Sequence, residues 1–280
     1  MKKNLFAMII FASGLCAFAI GNSPFRRPLL HGEVKNYTEI NFEITTKFGD
    51  YYRTPKIKFL HEFNDEGLEI RFSEFTAVGQ LVNIIEYTYN EDGNLFSQIC
   101  YDSKKNTLWK IISSFDENGV KAEDCEYDDK DNLTGKTVYK NVDSNPTEET
   151  YYNSTGELVW KKIYKYSDAN QLEESFSYSA DGQLDIRRKH KYDKFGKLLE
   201  TASFDASDKI ISNEVFSYND DDTINEYAIY GEDGKRQTRI FYKYDENKNC
   251  IKSITYKVTQ KFGTVVNEMV DQSDFEYEYR

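Results

Sequence analysis

Long apolar runs are missing from this chain after residue 20, so no later segment offers the roughly 20 residues that a membrane-spanning helix needs. Cysteine is scarce as well. One of the four, Cys16, falls in an N-terminal apolar segment, and the remaining Cys100, Cys125 and Cys250 are too few and odd in number for a disulfide framework. Three histidines, His31, His61 and His190, stand far apart, and no His/Cys cluster has the spacing of a metal site. Lysine and arginine total 36 against 48 acids, a net charge of -12, and they form no basic stripe, which excludes nucleic acid as a natural partner. Phosphate-binding glycine loops, dinucleotide fingerprints and nucleophile–base arrangements are absent too. The chain reads as non-enzymatic and without a cofactor.

At the N-terminus, Lys2 and Lys3 precede an apolar stretch from Leu5 to Leu15 and the small-x-small sequence Ala17-Phe18-Ala19. This is the layout of an export signal, residues 1–19, with the mature chain beginning at Ile20. Lipidation at Cys16 is the alternative; bulky Leu15 before it counts against that. Residues 20–33, with Pro24 and Pro28, read as a linker, and 34–280 as a single repeat domain. The destination is the periplasm, the cell surface or the medium.

Aromatic residues are plentiful: 22 tyrosines and 19 phenylalanines help bring the aromatic share to 15%, more than a disordered chain carries. They are spaced like marks on a ruler. Anchors fall at Phe63, Phe75, Tyr89, Tyr101, Phe115, Tyr127, Asn141, Tyr152, Tyr166, Tyr178, Tyr192, Phe204, Tyr218, Tyr230, Tyr244 and Tyr256, alternately 12 and 14 residues apart except for one step of 11. Four residues after each anchor from Phe63 to Tyr244 stands Gly, Asn or Asp in all but two cases, Lys105 and Lys248; these three types tolerate positive φ. Two residues further an aliphatic such as Leu95, Leu158, Leu184 or Leu198 restarts the strand. The period of 26 is therefore a pair of strands, and the whole is an antiparallel meander of tandem hairpins with no helix.

Side chains alternate along a strand, so Leu158, Trp160, Lys162, Tyr164 and Tyr166 share one face. Open sheets seldom exceed about ten strands without curling. The expected fold is all-β: a single-layer, curved, open sheet or solenoid with the aromatic face concave. "TKFGDYYRTPKIKFLHEF" (46–63) and "QKFGTVVNEMVDQSDFEY" (260–277) share Lys-Phe-Gly and suggest matched edge modules at both ends, about 34–62 and 257–280.

The runs "YDKFGKL", "YNEDGNL", "YNSTGEL" and "YSADGQL" resemble the YD repeats of Rhs-type bacterial secreted proteins over residues 63–256; MORN-type repeats are the second-nearest resemblance. The YD-repeat family implies stacked hairpins, export and contact with cell surfaces or carbohydrate. Its long members wrap a toxin in a shell, for which this chain has neither the length nor an effector segment.

Anchor and restart residue, paired across each loop, would set Glu148 opposite Lys162, Glu174 opposite Arg188 and Glu200 opposite Glu214. A ladder of cross-strand charge pairs explains them most simply. The functional alternative is a ligand track on the concave face: Trp160, Tyr164, Tyr166, Glu174, Tyr178, Arg188, Tyr192, Glu200 and Glu214, with sugars stacking on rings and bonding to carboxylates. On these grounds the chain is expected to be an exported binding module for a glycan or an envelope or host protein. A structural protein assembling through its edge strands is the alternative.

Overall fold

The computed structural model describes residues 30–142 and 144–280; the export signal, Cys16 and most of the proposed linker lie outside them. All regular structure among these residues is β. The strands run β1 (Val34–Lys47), β2 (Asp50–Phe63), β3 (Glu69–Thr76), β4 (Leu81–Tyr89), β5 (Leu95–Asp102), β6 (Thr107–Phe115), β7 (Lys121–Asp128), β8 (Leu133–Val142) and β9 (Asn145–Asn153). They continue as β10 (Leu158–Tyr166), β11 (Leu172–Ser179), β12 (Leu184–Tyr192), β13 (Leu198–Phe204), β14 (Ile210–Tyr218), β15 (Ile224–Gly231), β16 (Arg236–Tyr244), β17 (Cys250–Lys261) and β18 (Thr264–Tyr279).

Each strand pairs antiparallel with the next, and β1 pairs with both β2 and β18. The sheet is thus a closed barrel of 18 strands, which corrects the expectation of an open, curved solenoid. The resemblance to YD or MORN repeats does not carry through to the architecture either. The physical reason lies in the two terminal modules. They are not free edges: β1 and β18, among the longest strands at 14 and 16 residues, pair with each other from Val34 opposite Tyr279 to Glu43 opposite Asp271. Closure satisfies both rows of edge amides and carbonyls, so assembly through unpaired edge strands is overturned as well.

The hairpins are built alike. In the loop after Tyr89, the amide of Asn90 donates to the carbonyl of Asn94 (2.9 Å) and that of Gly93 to the carbonyl of Asn90 (3.0 Å). The Asn90 side chain accepts from the amides of Asp92 and Asn94. Aspartates do the same at 102, 116, 128, 193 and 205, which is why Asn and Asp so often follow the anchor. The fourth position is left-handed after every anchor from Phe63 to Tyr244 but Asn141, and Lys105 (φ 67°) and Lys248 (φ 68°) adopt it despite their side chains. At the step of 11 the left-handed residue is Ser144 rather than Asn145, which already belongs to β9.

The recurrence of tyrosine has its own cause. The hydroxyls of Tyr89, Tyr166, Tyr192, Tyr218 and Tyr244 donate to the carbonyls of Glu69, Pro146, Leu172, Leu198 and Ile224, each 20 residues earlier at the start of the preceding strand, at 2.7–3.0 Å. Asn141, the one anchor that is not aromatic, makes the same bond through Nδ2 to Lys121 (2.8 Å). Phe115 has no donor to offer. Replacing Tyr192 by Phe should therefore cost about 0.5–1.5 kcal/mol. Phe115→Tyr, which supplies a hydroxyl for the Leu95 carbonyl, should recover a comparable amount. Urea denaturation of the two single variants checks both signs.

Candidate functional site: the lumen wall

The two faces of the barrel wall are sorted by a bulge at each hairpin. Tyr152 pairs with Leu158, but Tyr151 pairs with Trp160, so one residue, Val159, is left over; the same shift follows Tyr166, Tyr178, Tyr192 and the other anchors. A slip of one residue exchanges the faces. Glu148 consequently sits opposite Ile163, Glu174 opposite Lys165 and Lys189, and Glu200 opposite Lys191 and Val215. The pairs expected from the unbulged register, Glu148 with Lys162, Glu174 with Arg188 and Glu200 with Glu214, are not formed.

Burial identifies which face is concave. No second layer covers the wall, yet Tyr227 (0% exposed), Cys100 and Ile240 (both 3%) and Phe216 (4%) are buried, and all lie on one face. Side chains crowd only where a wall curves inward, so this is the lumen. Most buried residues of the other face are small, Ser73, Ser97, Thr150 and Ala228 among them, with Phe42 and Gln272, paired across β1 and β18, as larger exceptions.

The lumen wall is polar as well as aromatic. Asp124 accepts from Ser113 Oγ (2.5 Å) and Tyr139 OH (2.8 Å). Tyr151 reaches across β8 to Glu126 (3.0 Å), over Gly135, where an added Cβ would lie 2.2 Å from the Tyr151 hydroxyl. Tyr227 donates to Glu214 (2.8 Å), His61 Nδ1 lies 2.6 Å from Glu69, and His190 Nδ1 lies 3.0 Å from Thr201. Burial raises the carboxyls of Glu39, Glu126, Glu214 and Asp271 above the ordinary carboxylate range. Burial and the Arg188 charge lower His190, favouring the neutral ring. At one mouth, an open depression of about 670 Å³ lies between Tyr242 and Tyr244 and the acidic turn residues Asp220, Asp221 and Asp245.

The outer face is a lattice of ion pairs. Glu148 binds Lys161 (2.6 Å) and Lys140 (2.7 Å); Glu174 lies 3.6 Å from Lys189 and 3.8 Å from Lys165; Glu226 binds Arg239 (2.6 Å). Burial would raise the Glu148 carboxyl, but the two hydrogen-bonded ammonium groups hold it below its ordinary value. Along β12 the outer face reads Asp185, Arg187, Lys189, Lys191. In hydrocarbon such charges cost about 2–4 kcal/mol each near the midplane.

Of the residues singled out from sequence, Trp160, Tyr164, Tyr166, Arg188, Tyr192 and Glu214 share the lumen wall. Glu174, Tyr178 and Glu200 are on the outside: Tyr178 pairs with Lys161, and Glu200 accepts from Asn213 (2.9 Å). Trp160 stacks on Tyr151 (centroids 5.5 Å apart), with the Lys162 ammonium 4.6 Å from its ring centre. Arg188 lies between Ser175 and Ser203. The sequence reading missed Asp124, Glu126, Tyr151 and Tyr227 as lumen residues; only the bulge register reveals them. Among the described residues no cluster of His, Cys, Asp and Glu has the arrangement of a metal site.

The class these features define is the closed, up-and-down β-barrel. No protein-family model matches the chain, and neither does any curated protein. Among solved structures it is similar to a porin-like protein from Bacteroides uniformis (10% identity, 89% of this chain and 99% of that one, TM-score 0.49). It is also similar to a porin-like protein from Bacteroides vulgatus (13%, 88% and 98%, TM-score 0.38). The TcdB2–TccC3 structure is matched over 85% of this chain and 16% of its own length, at 10% identity and TM-score 0.24. Identities and scores this low transfer no ligand or role. A closed barrel of this kind is consistent with export. The reading as an exposed glycan- or protein-binding repeat module is corrected: the concave aromatic face is the inside of a closed barrel, not a curved surface open to a large partner.

The raised carboxyls set the pH response. The folded state holds their protons more tightly than the unfolded chain, so the stability these four groups contribute is greatest below the ordinary carboxylate range and falls as pH rises through the raised values. Glu214→Gln keeps an acceptor for Tyr227 but cannot ionise. Its Tm should decline less between mildly acidic and neutral pH than that of the parent, as followed by circular dichroism.

Proposed function

We propose that this chain is an exported, porin-like barrel that admits small hydrophilic solutes, preferentially cations, into its lumen. The observation that carries the reading is closure of 18 strands around a wall lined with tyrosine hydroxyls and carboxylates. At a spacing of about 4.8 Å, a ring of this many tilted strands is roughly 30–35 Å across between backbones, the size class in which barrels retain an aqueous interior. The turns are short at both rims, and the depression at one mouth is acidic. Trp160, Tyr164, Tyr166, Arg188, Tyr192 and Glu214 would line the path, while Glu174, Tyr178 and Glu200 would belong to the water-facing exterior.

The charged outer wall favours a barrel that works in water outside the cytoplasm over one that lines a hole through a bilayer. The N-terminal signal-like sequence supports the same compartment, with the periplasm or the cell surface as its destination.

Both tryptophans, Trp109 and Trp160, face the lumen and provide a direct readout. Caesium and iodide quench indole fluorescence by contact. The proposal expects caesium to quench the folded protein more efficiently than iodide, with the preference lost on unfolding in urea. Equal quenching, or none by either ion, would contradict an accessible acidic lumen.

A further inference from the structure

The Lys-Phe-Gly motifs near the two ends of the chain have a use that barrel closure does not account for. Each forms the tip of a long hairpin, β1–β2 and β17–β18, and antiparallel pairing of β1 with β18 places both tips on the same rim. Past the last β1–β18 pair, Glu43 with Asp271, the first finger continues for four further pairs, from Ile44 with Arg53 to Lys47 with Asp50. The second runs from Tyr256 with Met269 to Lys261 with Thr264. At the rise of a strand the fingers stand roughly 13–20 Å above the point where they separate.

At each crest a phenylalanine occupies the first central position of a two-residue turn. Phe48 has φ 55° and Phe262 φ 50°, followed by Gly49 (φ 91°) and Gly263 (φ 78°). This left-handed position suits Asn, Asp or Gly, and a bulky side chain there is strained. The rings gain nothing from packing in return, being 104% and 107% exposed. A residue that costs stability, contacts nothing and occurs twice on one rim is explained by a partner.

We infer that the two fingers anchor the barrel to a lipid bilayer surface, with Phe48 and Phe262 entering the apolar layer. The tips are convex and separate, so a protein would need two matched pockets, whereas a fluid apolar layer receives both without a matched surface. The neighbours fit an interface. Lys47 adjoins the first ring at headgroup level and Lys261, its ammonium paired with Glu268, the second, and Tyr51 and Tyr52, half exposed just behind the first tip, are the amphipathic residues enriched there. The charged outer wall stops deeper entry, so the barrel rests on the membrane. The inference is independent of what the lumen admits.

Co-sedimentation of the mature chain with vesicles of phosphatidylcholine and phosphatidylglycerol tests it. The parent protein should bind, and Phe48→Asn with Phe262→Asn should weaken binding by about tenfold or more. The same double variant should match or exceed the parent in Tm, because Asn relieves the left-handed strain. Phe195→Asn removes another exposed ring (74%), in a turn on the opposite rim, and should leave binding unchanged. No binding by the parent, full binding by the double variant, or an equal loss with Phe195→Asn would each overturn the inference. So would tip-dependent dimers in analytical ultracentrifugation without vesicle binding, which would make a second copy the partner.

Discussion

The hydrogen bonds between β1 and β18, from Val34 opposite Tyr279 to Glu43 opposite Asp271, turn a sheet with two edges into a sheet with none. Everything distinctive about the molecule depends on them. Without that seam the concave face would be an open surface and the terminal strands would be sites of aggregation. With it, one face becomes an interior and the other an exterior. The seam is reinforced by side chains: Ser273 Oγ meets Asn41 Oδ1 at 2.6 Å, and Tyr37 stacks on His61 at 4.2 Å and contacts Tyr277 at 5.4 Å. Asn249, 1% exposed, ties the β16–β17 turn to His31 and to the Tyr279 hydroxyl at 2.8 Å each, so the entering chain and the last strand are pinned together.

Around this seam the wall is a repetition of one hairpin, and that unit is legible in the sequence because its causes are local. The anchor, the Asn or Asp after it and the left-handed residue are each required by hydrogen bonds within a few positions, so their spacing can be read directly. The tyrosine itself is required by a bond 20 residues back, still inside one double repeat. The faces were not legible to the same extent. The bulge after each restart residue, Val159 for example, leaves no mark on an alternating pattern, yet it moves Glu174, Tyr178 and Glu200 to the outside while Trp160, Tyr164 and Arg188 remain within. Closure was illegible for another reason: it joins residues more than 220 positions apart, and hairpin periodicity is the same in an open sheet and a closed one. The duplicated Lys-Phe-Gly modules were the trace it left, and they mark two partners rather than two free edges.

The two walls then divide the chemistry. Outside, glutamates pair with lysines and arginines in water, where each pair contributes little and the set keeps the wall hydrophilic. Inside, carboxylates are held by tyrosine and serine hydroxyls, and burial pushes several of them toward the protonated form. The proposed admission of polar solutes rests on this acidic, hydroxyl-rich lumen.

Closure is the claim on which this account stands, and a disulfide across the seam measures it most directly. Thr38 and Glu276 are direct partners on β1 and β18, and facing Cα atoms in such pairs are about 4.5–5.5 Å apart, within the range a disulfide spans. In a protein carrying Thr38→Cys and Glu276→Cys, mild oxidation should yield the intramolecular bond between 38 and 276 in the monomer, mapped by mass spectrometry of proteolytic fragments. Thiols that stay free, or that link only between molecules, would show that the ends do not meet and that the sheet is open.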